Sequence, residues 1–398
     1  MLLRAGLLLA VLSSSSLAQD NGTEPAAGGG QADGLGAKSH GEAGDTTWSV
    51  RLGFYNRDDS GAGNPFLDES LTIIEPVFIY DHQVSEDYGY DIKFSYDKVS
   101  SASIDRLSEF DGQSGASGDD YFSLDAAFRH KLSEFDNFSW HLGVASEYDY
   151  ASVGLGAGWT RNFEDRDASL SFNLNGYFDV VSPIRFDGSE DADESRTSLA
   201  GTVSWYQIIN PTLHGELGLT YSAQTGFLET AYNAVVAEIP GSPANPLLEN
   251  NANGIEFAEV LPDSRNRLSV FGRLRQQLGP HDAVEVGTRF YDDDWGIGAY
   301  DITPRYLHEF ESGLLLDLRY RFYSQSAADA YGEHFTTAPA AGEERTQDSD
   351  LGEFDSSLLG AHIKWGDPSE AWDFGVNYLD RSDGLDHIFF NIGWSTSY

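Results

Sequence analysis

Cysteine is absent from the 398 residues. That leaves no disulfide framework, no thiolate metal site, and no thiol to carry haem or an N-terminal lipid. Cations are scarce: 24 Lys and Arg stand against 64 Asp and Glu, for a formal net charge of −40. Nucleic acid demands clustered surface cations, so no nucleic-acid partner is expected. No stretch approaches the roughly twenty apolar residues that a membrane helix needs. If the chain enters a membrane, it must do so as a closed barrel, the remaining way to satisfy every backbone group. The ten histidines lack ligand spacing. His141 and His214 fall on inward positions without a convincing nucleophile nearby, so the expectation is no enzyme and no cofactor.

What is present begins with MLLRAGLLLAVLSSSSLAQD, which has the cationic Arg4, a short apolar run and Ser16-Leu17-Ala18 as a small-x-small site. It reads as a signal peptide over 1–18, with export to follow. Residues 19–46, rich in Gly, Ala, Asp and Glu, read as a disordered periplasmic linker. From there to 398, apolar and polar residues alternate. A period of two means extended strands, because successive side chains leave opposite faces of the pleat.

The alternation is plainest over 265–325. Leu268, Val270 and Leu274 interleave with Arg265, Arg267, Arg273 and Arg275. Val284, Val286 and Phe290 interleave with Glu285 and Arg289; Tyr300, Ile302 and Tyr306 with Asp301, Arg305 and Glu309; Leu318, Tyr320 and Phe322 with Asp317, Arg319 and Arg321. The apolar face is aromatic near the turns, which fits strands facing lipid between interfacial girdles, with the polar face lining a wet lumen.

Across the chain the pattern gives about sixteen strands of roughly ten residues, the even number of a single-chain bacterial barrel. Short turns near 85–88, 133–137, 164–167, 210–212, 279–282, 311–313 and 366–370 alternate with connections that are often long. The long ones span 58–68, 100–118, 182–195, 226–263 and 327–352. This sorting places the short turns on the periplasmic side and the long loops outside. The fold class is therefore all-β, a transmembrane up-and-down antiparallel barrel over 47–398. The run 71–82 is apolar on both parities. Pro76 and Pro304 fall inside strands, where they cannot donate to the ladder, and bulges are expected there.

The last strand sets Phe390, Ile392, Trp394 and Tyr398 on one face and ends on an aromatic. It resembles the C-terminal signal that outer-membrane proteins present to the barrel-assembly machinery. Pro262-Asp263-Ser264-Arg265-Asn266-Arg267 and Tyr291-Asp292-Asp293-Asp294-Trp295-Gly296-Ile297 resemble a Gram-negative outer-membrane family catalogued as a domain of unknown function. That resemblance implies a barrel and lends no catalytic residue. General porins are similar in strand number and loop alternation.

Eight arginines, a third of all Lys and Arg, thus fall on one wall: Arg265, Arg267, Arg273, Arg275, Arg289, Arg305, Arg319 and Arg321. Two readings follow. A cationic wall opposite acidic groups sorts small hydrophilic solutes by charge, with the acidic loops repelling anions at the entrance. Alternatively the arginines satisfy Glu285, Asp301, Glu309 and Asp317 in a barrel that conducts nothing and sheathes a partner. The connection 226–263 carries apolar residues (Phe227, Leu228, 234–236, Ile239, Leu247, Leu248), as a loop folded into the mouth or a surface cap would. Asp187, Ser189, Asp191 and Asp193 alternate like the start of a calcium loop, but the Gly and Glu that complete one are missing. They are candidates for weak divalent binding near lipopolysaccharide. Gly154, Gly156 and Gly158 face inward, leaving space for an inserted loop.

Overall fold

The computed structural model describes residues 42–60, 68–101, 119–163, 167–185, 187–230, 233–245, 252–367 and 369–398. The leader expected over 1–18, most of the tail expected over 19–46, and Leu247 and Leu248 lie outside them. Nine strands come first: β1 (Thr46–Ser60), β2 (Asp68–Ser85), β3 (Tyr88–Ser101), β4 (Asp119–Lys131), β5 (Asp136–Ser146), β6 (Tyr150–Asn162), β7 (Ala168–Val181), β8 (Glu194–Asn210) and β9 (Leu213–Gly226). Two short strands, β10 (Ala234–Ala237) and β11 (Ile255–Ala258), pair only with each other. Then come β12 (Ser264–Gln277), β13 (Asp282–Asp293), β14 (Gly298–Glu309), β15 (Leu315–Gln325), β16 (Phe354–Asp367), β17 (Glu370–Arg381) and β18 (Leu385–Ser397).

Sixteen strands close into one antiparallel barrel, each paired with its neighbours in sequence, except that β9 pairs with β12 across the β10–β11 loop. The ring is sealed by β1 against β18, from Thr47–Ser397 to Asp59–Leu385. Each of the sixteen barrel strands is paired on both sides, as the backbone demand of lipid requires. The expected sorting of connections holds at the end where β1 begins. There β8 and β9 are joined by Pro211 and Thr212 alone, and the turn at 310–314 closes on Gly313, whose φ of +78 suits glycine.

The apolar parity faces outward. Leu268, Val286, Ile302 and Leu318 are 42 to 46% exposed, although their inward neighbours Ser269, Glu285, Asp301 and Asp317 are buried. Their environment is therefore lipid and not a protein core. Aromatic pairs ring the short-turn end: Trp48 and Tyr80 (centroids 4.7 Å apart), Phe128 and Trp140 (4.1 Å), Phe163 and Trp205 (5.1 Å), Trp372 and Trp394 (6.4 Å). At the opposite end the tyrosines turn their hydroxyls to polar partners, Tyr96 to Asp120 (2.5 Å), Tyr221 to Asn266 (2.8 Å) and Tyr378 to Asp386 (2.7 Å). An apolar ring with a wet hydroxyl suits the membrane–water boundary.

Two expectations are corrected. Neither proline makes a bulge. Pro76 pairs with Leu52 and Pro304 with Val286, and on their other sides the ladder lapses for two residues and resumes in the same register. A proline lacks one N–H, which costs a ladder bond toward one neighbour without adding a residue. The register shifts occur instead at Gln83–Ser85 and Ile208–Asn210, beside turns. The doubly apolar run in β2 also resolves. Ile74 and Phe78 face out, and Ile73 and Val77 are buried inside beneath the loop end.

Candidate functional site

The inward faces of β12 to β15 bring all eight arginines onto adjacent strands, because each sits on the parity opposite the lipid-facing residues. Arg273, Arg275 and Arg305 pair with carboxylates, and two of these, Arg275 and Arg305, share one alternating chain. Arg273 pairs with Glu216 of β9 (2.8 Å), and Arg275 with Glu285 (2.7 Å). Glu285 also accepts from Arg305 (3.2 Å), which pairs in turn with Asp317 (2.5 Å). The register explains the pattern. Arg305 lies opposite Glu285 on one side and opposite Arg319 on the other, and on that second side it reaches diagonally to Asp317 instead of the like charge. Arg319 donates to Asn377 of β17 (3.4 Å), Arg321 lies 3.8 Å from Asp301, and Arg289 faces Asp301 across the β13–β14 pair.

Nearer the loop end, Arg265 pairs with Asp293 (2.5 Å) and stacks over Trp295, 4.3 Å from its ring. Asp293 also accepts from the backbone N–H groups of Trp295 and Ile297, so one carboxylate fixes both the turn and the arginine. Arg267 lies beside this pair, with its Nε buried and without a hydrogen-bond partner among the described residues. These four strands carry eight arginines against Glu285, Asp293, Asp301 and Asp317 inside, which leaves the wall cationic. Glu309 departs from the expected role: it is exposed at the short-turn rim, and no arginine pairs with it among the described residues. Glu216 and Asp293 take the partnerships that the sequence did not assign. Their inward parity was the only signal available.

The two longest connections fold together over the loop end. Strands β10 and β11 pair from Ala234–Ala258 to Ala237–Ile255, and isolated bridges join Ala237 to Phe335 and Val260 to Arg345. Residues Ala234 to Ala237 are buried to within 3% exposure. The joint is polar as well as apolar: Glu259 accepts from Thr346 Oγ1 (2.6 Å) and from the Thr230 N–H (2.7 Å), and Gln347 accepts from the Val236 N–H (2.6 Å). Several contacts tie this cap to the barrel, among them Arg185 of the β7–β8 connection to Glu229 (2.8 Å) and Gln325 of β15 to the Gly352 carbonyl (2.7 Å). Phe227 packs on Tyr121, Tyr150 and Val181 inside the barrel. Asp350 accepts from Arg381 of β17 (2.5 Å) and lies 3.7 Å from Arg57 of β1. The cap uses 227–263 and 326–353 jointly, a pairing that neither loop's sequence announces.

The acidic loop does not gather a cation site. Asp187 accepts from the Ser189 hydroxyl and N–H, which holds its carboxyl below the usual range. Asp191 is engaged by Arg185 (2.5 Å), and Asp193 accepts from Ser182 (2.7 Å). The three carboxylates thus serve three separate contacts, and no group of three metal-ligating side chains occurs among the described residues. At two of the inward glycines of β6, Gly154 and Gly156, the expectation is also corrected, since the space is taken by the wall itself. The Tyr177 ring lies over Gly154, and the His141–Asn175 hydrogen bond (3.0 Å) lies over Gly156. His214 lies near Tyr206, with ring centroids 5.5 Å apart and the planes tilted by 52°. At the end of β18, Phe390, Ile392 and Tyr398 are exposed on the outer face and Trp394 is half-buried beside them.

A family model described as "Protein of unknown function (DUF3570)" matches residues 113–381. No curated protein matches the chain. Among solved structures it is similar to the bacterial polysaccharide outer membrane secretin, at 11% identity over 88% of this chain and 98% of that one, with a TM-score of 0.48. It is similar to the outer membrane protein opdK from Pseudomonas aeruginosa, at 8% identity over 90% and 100%, with a TM-score of 0.42. It is similar to the CymD monoaromatic hydrocarbon channel, at 8% identity over 90% of each chain, with a TM-score of 0.41. These likenesses lend no solute and no partner to this chain.

Proposed function

Because this chain belongs to the family described as a protein of unknown function (DUF3570), which carries no activity to borrow, we propose a function from its geometry: an outer-membrane channel for small hydrophilic solutes. The observation that carries this reading is the closed sixteen-strand ring with exposed apolar residues outside and paired charges inside. Lipid surrounds such a ring, and water fills what the side chains leave inside it. The surplus arginine on β12 to β15 attracts anionic groups along one side of the lumen, and strands hold each guanidinium in place. The cap narrows the outer mouth, and lipid, lipopolysaccharide and the barrel-assembly machinery are the surroundings this reading implies.

A second reading, a barrel that does not conduct, is favoured by the cap and by the pairing of most wall arginines. Planar-bilayer recording separates the two. The channel reading expects conductance from the refolded protein and a several-fold increase when residues 234–258 are replaced by a short Gly-Ser linker. Silence from both proteins, each migrating as a folded barrel, supports the scaffold.

A further inference from the structure

The wall across the barrel from β13 and β14 is formed by β2, β3 and β4. Pro76 offers β3 no N–H, and the ladder lapses between the pairs Ile74–Lys98 and Val77–Ser95. Glu75 and Asp97 face one another in that lapse, both on inward parity. Directly opposed residues stand roughly 5 Å apart at Cβ. Asp97 is 1% exposed, and neither of its carboxylate oxygens has a hydrogen-bond partner among the described residues. Apolar neighbours Ile73, Val77 and Tyr121 are buried with it, and the nearby hydroxyls of Ser95 and Ser123 are spent on each other (2.7 Å).

The charged and titratable groups that face inward on the adjoining strands, among the side chains described, bear on this pair. Strand β1 presents Arg51, Tyr55 and Arg57; β2 presents Glu75 and Asp81; β3 presents Asp91 and Lys93; β4 presents Tyr121, Asp125 and Arg129. Arg129 is engaged by Asp81 (2.8 Å) and Asp91 (2.6 Å), and Arg57 lies toward Asp350. Arg51 and Lys93 remain nearby, and neither forms an ion pair with Asp97 among the described residues. A buried carboxylate with no donor beside a second carboxylate is among the costliest arrangements a fold can hold, and a proton removes the cost without needing space.

We propose that Glu75 and Asp97 form a proton-binding pair that holds one proton between them at neutral pH and thereby seats the outer cap. Asp97 lies opposite Tyr121 in the β3–β4 register, and Tyr121 belongs to the apolar cluster on which Phe227, at the root of the 227–263 connection, packs. A neutral carboxyl tolerates that apolar cover, whereas a charged one draws water beneath Tyr121 and loosens Phe227. The seated state binds the proton more tightly than the unseated one. Seating is therefore retained as pH falls and lost as pH rises through the pair's titration.

The pair is independent of whether the barrel conducts, so the test uses no conductance. Infrared spectra of the full chain in lipid are compared for wild type, D97N and E75Q. At neutral pH nearly all other carboxyls are ionised, and the wild type is expected to show a protonated-carboxyl band that D97N removes and E75Q displaces. Protease cleavage within 227–263 should rise with pH in the wild type and stay flat in D97N. Identical spectra for wild type and D97N overturn the proposal. So does a D97N chain that fails to fold, because the neutral amide mimics the protonated acid and should be tolerated.

Discussion

Glu285 is the residue on which the arginine wall turns. Its side chain is 6% exposed and accepts from Arg275 and Arg305, so its removal leaves two cations facing each other in a low-dielectric wall. Glu285→Gln should lower the unfolding free energy by about 3 kcal/mol, measured by urea titration of the lipid-embedded protein; a change below about 0.5 kcal/mol would show the pairs to be solvent-screened. A second contrast at this scale concerns two glycines. Gly226 has φ +105, and a Cβ there would press against the Ser195 carbonyl, whereas Gly241 has φ +85 and open space around it. Replacement by alanine should cost about 1 kcal/mol at Gly241, from the left-handed backbone alone, and at least about 2 kcal/mol at Gly226. Equal losses would mean that contact with Ser195 adds nothing.

Among elements, the cap is the part with behaviour of its own. It joins 227–263 to 326–353 by short pairings, and one of its ties to the barrel wall is Asp350, between Arg381 and Arg57. Asp350→Ala leaves both arginines without that carboxylate. It should make 326–353 several-fold more sensitive to protease while the barrel keeps its unboiled gel migration. Unchanged cleavage would mean that the other ties suffice. The barrel strands are legible by contrast. Lipid on one face and charge on the other force strict alternation, and alternation survives in the sequence as a period of two. Strand ends were less legible: β8 begins at Glu194, whereas its alternation is clear only from Ser198, since beyond the lipid no apolar face is required.

For the molecule as a whole, the charges are divided unequally. A chain of net charge −40 concentrates eight of its 24 cations on one inner wall. Arg273 and Arg275 pair with Glu216 and Glu285, so replacing both arginines by Ala leaves Glu216 without its arginine and Glu285 with Arg305 alone, and the inner wall loses two positive charges. Ion selectivity in planar bilayers should then move toward cations, most clearly at low salt, where screening is weakest. An unchanged reversal potential in a conducting variant would remove the wall from the permeation path.

The sequence by itself determined the strand number, the lipid-facing parity and the side on which the arginines lie. Each is a local consequence of which face of a pleat meets lipid, repeated at every second residue. It did not determine that Glu216 and Asp293 would be paired while Glu309 stays at the rim. Nor did it determine that the acidic loop would spend its carboxylates separately, or that Glu75 would meet Asp97. Those contacts join strands and loops far apart in the chain. Register, tilt and loop packing decide them, and no periodicity within a single segment encodes the position of its neighbour.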